Sequence, residues 1–214
     1  PSKLEIGAEL RGYSFYNGAS LSLKANEFLI ADQTRLDALL RETRADGSLR
    51  YALSGTGALR TLYDEASGES LVVVAPVLFQ GGGFDSFALT ATRSGLEVAA
   101  ATRIDLDLQN RSADPGALAR YLMTNLASSA ASAETGTSHP LQFVPTGTAL
   151  DSFTRVAPLP AHQRSSVDLL LASENTFGLQ VAVDYPLLSV GTGAEIFGRP
   201  GAEVVLASDT LLLM

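Results

Sequence analysis

Apolar residues recur at every second position along much of this chain, the spacing of strands with one face buried and the other wet. Ser20-Leu21-Ser22-Leu23-Lys24 and Ile104-Asp105-Leu106-Asp107-Leu108 alternate strictly, and Leu179-Gln180-Val181-Ala182-Val183-Asp184 does so less perfectly. Leu71-Val72-Val73-Val74-Ala75 and Val167-Asp168-Leu169-Leu170-Leu171 are almost continuously apolar. Such runs suit central strands covered on both faces, or segments at a subunit contact. Turn signals interrupt the pattern at Asn17-Gly18, Asp46-Gly47, Gly81-Gly82-Gly83, Ser94-Gly95, Gly191-Thr192-Gly193 and Arg199-Pro200-Gly201. Short strands with such regular punctuation point to a sandwich or barrel. The expected fold is all-β, mainly β with two short helices, built as a jelly-roll-like β-sandwich.

The two helices break the period. Asp32 can cap a helix that carries Leu36, Leu39 and Leu40 on one face, with Asp37 and Arg41 at helical spacing, and that stops at Asp46-Gly47. Asp114 can cap a second helix with Pro115 at its first position, where the missing N–H costs nothing, and with Leu118, Tyr121, Leu122 and Leu126 in one stripe. Each helix is expected to cover an end or an edge of a sheet. Residues 127–138 are small, with Glu134 as the one charge, and are expected to form a flexible loop. Composition does not change across that run, so residues 1–214 are expected to form a single β-rich domain. Gly57-Ala58-Leu59-Arg60 and Gly116-Ala117-Leu118-Ala119-Arg120 look briefly alike, but no internal repeat is legible.

Composition removes several function classes. With 46% apolar and 18% charged residues, the chain can bury a core and is not disordered throughout. The longest apolar stretch, Leu71 to Phe79, contains Pro76 and falls well short of the roughly 18–20 residues needed to span a bilayer. Pro1-Ser2-Lys3-Leu4-Glu5 lacks the basic start and apolar block of a secretory leader, which fits synthesis in the cytoplasm. The absence of cysteine excludes disulfides, a thiolate nucleophile and Cys-based metal sites. A net charge of −8 argues against nucleic acid as the main partner. Lysine occurs only at Lys3 and Lys24, so arginine supplies nearly all the positive charge. Arginine is favoured at interfaces, although a GC-rich genome explains the same bias.

Candidate chemistry is sparse. The two histidines, His139 and His162, lie in loop-like segments. They cannot supply the three ligands of a cupin-type metal site; a two-histidine, one-carboxylate site is arithmetically open, but surface histidines explain both. No serine lies in a Gly-x-Ser-x-Gly elbow, and Leu53-Ser54-Gly55-Thr56-Gly57 reads as a strand end and turn. Gly81-Gly82-Gly83 follows a strong strand, but Phe84-Asp85-Ser86-Phe87-Ala88-Leu89-Thr90 after it reads as another strand. A phosphate loop needs a helix there, so the glycines are expected to form a hairpin connection between adjacent strands. Asp105 and Asp107 share a strand face, and paired carboxylates can bind calcium or divide acid and base work. No third partner is evident, and a solvated strand face accounts for them. Tryptophan is absent, and the one aromatic-dense stretch, Tyr13-Ser14-Phe15-Tyr16-Asn17, reads as an early strand and turn.

No catalytic, cofactor-binding or metal-binding residue is assigned from these features, and an enzyme is not expected. The expected function is that of a structural subunit of a large homomeric assembly, with a viral capsid or virion accessory protein as its foremost setting. Its expected partners are then further copies of itself and other subunits of the assembly. The apolar segment Leu211-Leu212-Leu213-Met214 either completes a sheet or docks on a neighbour. A second reading is a ligand-binding β-sandwich that recognises a glycan or a peptide through Gly/Ser loops. A third is an enzyme with its site in a barrel mouth, using Asp105, Asp107 or His162.

Overall fold

The computed structural model of the chain describes residues 10–13, 18–117, 119–120, 123, 154–158, 165–174, 188–208 and 211–214, and these are mostly β. The alternating segment around Leu21 and Leu23 becomes β1 (Ala19–Ile30), which pairs in parallel with β5 (Phe84–Val98) along nearly its whole length. Shorter strands stack on this pair. β9 (Asp168–Ser173) adds to the first half of β5, and β12 (Val204–Ser208) adds to β9. β10 (Leu188–Val190) adds to the second half of β5, and β13 (Leu211–Leu213) adds to β10. A further ladder joins β6 (Arg103–Leu106) to β11 (Glu195–Gly198). All these pairs are parallel.

Their registers line up as rungs. Leu21 opposes Phe87, Phe87 opposes Leu169, and Leu169 opposes Val204. On the second ladder the order runs Phe28, Leu96, Leu188, Leu211. The arrangement is solenoid-like, each rung resting on the one before it. Alternation explains why it holds together. Phe87, Leu89, Leu169 and Leu171 on the first ladder, and Phe28, Ile30, Leu96, Val98 and Leu188 on the second, fall into one buried cluster with Ile104 and Leu106. Each fully buried side chain of this kind stabilises the fold by roughly 1.5–3 kcal/mol. Phe87 also meets the edges of Phe79 and Phe84, with ring centroids 5.1 and 5.8 Å away.

Between Ala25 and Glu27 the β1–β5 register shifts, as Ala25 opposes Ala91 and Glu27 opposes Gly95. Here both strands pass from the first ladder to the second. Ser94-Gly95, expected as a turn, is therefore a kink within a continuous strand, with Gly95 at φ 116°. On the other side of β1, β4 (Glu69–Val74) pairs in parallel, and β3 (Leu59–Asp64) and β2 (Ala52–Ser54) follow antiparallel. β7 (Gln109–Ala113) and β8 (Thr154–Pro158) form a separate antiparallel pair.

α1 (Gln33–Leu40) lies over the outer face of this sheet, where Leu36 and Leu39 pack with Leu29, Leu62, Val73 and Ala99. Asp32 caps it as expected, its Oδ1 accepting the Arg35 N–H at 2.8 Å. The helix ends at Leu40, short of Asp46-Gly47, which makes its own turn. Asp37 accepts a hydrogen bond from Gln33 Nε2 at 2.6 Å. The second helix begins at Pro115, with Asp114 Oδ1 accepting the N–H groups of Gly116 and Ala117 at 2.9 and 3.1 Å. Leu118, Tyr121, Leu122 and Leu126, the run 127–138 and the segment Leu179–Asp184 lie outside the described residues.

Two further expectations differ from the structure. A jelly roll is an antiparallel architecture, whereas the described strands pair mostly in parallel, so the mostly-β content is met and the jelly-roll arrangement is not. Alternation decides which face is buried but not which way a neighbouring strand runs. Gly81-Gly82-Gly83 does not close a hairpin either. It leads from a 3-10 turn, Pro76–Phe79, into β5, while β4 and β5 flank β1 on opposite sides. Among the described residues no helix is long and apolar enough to cross a membrane.

Candidate functional site

The third ladder carries the most concentrated chemistry. Ile104, Leu106 and Leu108 are buried, so the alternation turns Arg103, Asp105 and Asp107 outward. The parallel register sets Glu195 beside Arg103 and Phe197 beside Asp105 on the neighbouring rung. Arg103, Asp105, Asp107 and Phe197, together with Gln80 and Arg199, line an open groove of about 370 Å³.

Every charge in the groove has a counter-charge. Arg103 holds Asp105 as a fork, with Nε at 3.0 and 3.1 Å from the two carboxylate oxygens and Nη2 at 2.9 Å from Oδ1. Gln80 Nε2 donates to the same carboxylate at 3.4 Å. Arg199, from the next rung, holds Asp107 Oδ1 through Nε at 2.8 Å and Nη2 at 2.7 Å. The Arg103 guanidinium also lies over the Phe197 ring, with Cζ 4.1 Å from the centroid. Its hydrogen bonds to Asp105 raise its pKa above the ordinary arginine value.

Asp105 and Asp107 thus share a face as the spacing implies, yet each is engaged by its own arginine. That removes support from the calcium and acid–base readings, which need carboxylates free to face a cation or each other. Among the described residues no group of three or more His, Asp or Glu side chains could hold a metal ion. His139 and His162 lie outside the described residues. Ser54 ends β2, and Gly55 and Gly57 follow it in a turn, as the local pattern implies. Sequence reasoning missed Gln80, Arg103, Phe197 and Arg199. Only Arg103 carried a local signal, two residues before Asp105 on an alternating strand.

Two other charged clusters have structural explanations. Asp64 accepts from Arg44 Nη2 at 2.6 Å and from the backbone N–H groups of Ala66 and Ser67 at 2.9 and 3.3 Å, and Arg50 Nε lies 3.5 Å away. The Arg44 hydrogen bond, helped by those amides, holds its carboxyl down to about 2. This knot ties the segment after α1 to the β3–β4 turn. Glu27 is pushed the other way, above the usual carboxylate range, by burial and then by Glu69 and Glu97.

A different feature marks the far end of the stack. β12 and β13 are outermost strands, each paired on one side only among the described residues. Val204 is 41% exposed there and Leu213 is 66% exposed, with Val205 and Met214 open beside them. No protein-family model, curated protein or solved structure matches this chain.

Proposed function

We propose that this chain is a structural subunit that associates with further copies of itself by strand addition along β12 and β13. The observation that carries the reading is the apolar edge itself. Strand edges in natural proteins are normally blunted by lysine, proline, a bulge or a covering element. Val204-Val205-Leu206-Ala207-Ser208 has no charge, no proline and no bulge against β9. At the opposite edge, β2 is only three residues long, so it offers a much shorter row of backbone groups for pairing. The two edges are therefore treated differently by the sequence, and the unblunted one suits pairing. A two-fold contact of β12 with its own copy closes as a dimer, whereas contact with a different surface propagates. The apolar edge supports self-association alone, whatever the setting of the assembly.

Light scattering across a concentration series tests the reading. The expected result is a defined oligomer that reverts to monomer in Val205→Lys, with an unchanged circular dichroism spectrum. A monomer at every concentration, or an oligomer indifferent to Val205→Lys, overturns it.

A further inference from the structure

We propose that the groove on the outward face of the β6–β11 ladder binds a neutral oligosaccharide. Charge sets the first constraint on a ligand. Arg103 and Arg199 are balanced by Asp105 and Asp107 within the groove. An anionic ligand must compete with a carboxylate for an arginine already forked onto it, and a cationic ligand must compete with the arginine. A ligand with no net charge meets neither obstacle.

The polar groups then specify what kind of neutral ligand fits. Carboxylate and guanidinium groups each present adjacent polar atoms in a plane, and neighbouring sugar hydroxyls can both donate to the first and accept from the second. Both Arg199 contacts fall on Oδ1 of Asp107, so the carboxylate keeps acceptor capacity at Oδ2. The ion pairs also hold these side chains in place before any ligand arrives, which lowers the ordering cost of binding. Phe197 supplies the apolar part. Phe197 is 44% exposed and its ring is steadied by Arg103 on one face, and an aromatic ring of this kind packs against the C–H face of a sugar. The groove volume lies at the lower end of the range of small-ligand sites, which suits a short oligosaccharide.

The site is separate from the β12–β13 edge, so it stands or falls independently of self-association. If both hold, an assembly displays several grooves and gains avidity for a repeating glycan. Saturation-transfer difference NMR on the full chain tests the inference. The probes are maltotriose, cellotriose, chitotriose and galactotriose, with trigalacturonate as the charged counterpart. At least one neutral trisaccharide is expected to bind with a Kd of about 1 mM or tighter. Trigalacturonate is expected to bind about tenfold more weakly than the best neutral probe. Phe197→Ala and Asp107→Asn should each weaken the neutral probe about tenfold, and Val205→Lys should not. Phe197→Ala, at an exposed position, keeps the test decisive if Asp107→Asn disturbs its corner. Binding of no neutral probe at about 10 mM overturns the proposal. So does a preference for the uronate, or full binding by Phe197→Ala.

Discussion

Ala101 and Gly193 occupy the same corner of successive rungs and share a left-handed backbone, with φ at 56° and +73°. Each lies five residues after one stacked pair, Leu96 and Leu188, and two before another, Arg103 and Glu195. The Ala101 N–H donates to Thr192 O at 3.0 Å and ties the two corners together. Left-handed backbone costs a residue with a Cβ about 1–2 kcal/mol. Gly193→Ala is therefore expected to lower stability by about 1–2 kcal/mol in urea denaturation. Ala101→Gly is expected to raise it by only about 0.5 kcal/mol, because a more flexible unfolded chain offsets part of the relief. A Gly193→Ala variant as stable as the parent would show that the corner bears no strain.

Ser173 ends β9 at 5% exposure, and its Oγ has no hydrogen-bond partner among the described residues. A buried hydroxyl in that position keeps its desolvation cost and gains nothing in return. Ser173→Ala should stabilise the chain by about 1 kcal/mol, measured as a higher urea midpoint at constant slope.

Asp64 makes stability depend on acid. Its folded pKa of about 2 lies below the ordinary carboxylate value, so the folded chain binds this proton more weakly than the unfolded chain. The stabilisation is present above about pH 4 and is lost as the pH falls towards 2. Asp64→Asn should be less stable than the parent at pH 6, and the two denaturation midpoints should converge near pH 2. Midpoints that stay equally far apart across that window would sever the link to this carboxyl.

Glu27 gives the opposite slope. Burial, then Glu69 and Glu97, raise its pKa against the opposing pull of Arg50, so the folded state holds its proton more tightly than the unfolded state. The stability it contributes is present below the unfolded pKa and is lost as the pH rises through the folded value. Glu27→Gln should melt above the parent at pH 7, and the gap should close below about pH 4. Thermal melts at both pH values check this, and a gap that persists in acid would assign the gain to packing.

Much of the local structure was legible. The alternation around Leu21 and Leu23 marks β1, the apolar run at Val72–Val74 marks β4, and Asp32 and Asp114 cap helices where their side chains can reach free N–H groups. The rungs were not legible because the chain between them varies in length. Leu21, Phe87, Leu169 and Val204 meet across unequal intervals, so no repeat shows in the sequence. Half of the groove was hidden for the same reason, since Arg199 reaches Asp107 from a rung far along the chain.

The sequence by itself determined that β1 and β6 are strands with Leu21, Leu23, Ile104 and Leu106 turned inward, and where α1 begins, because alternation and capping act between residues a few positions apart. Tertiary structure alone decided that most strands pair in parallel, that Phe197 and Arg199 complete the face of Asp105 and Asp107, and that β12 stands at an edge among the described residues. Those outcomes depend on which distant inward side chains stack on one another, and a period of two is satisfied equally by a parallel or an antiparallel neighbour.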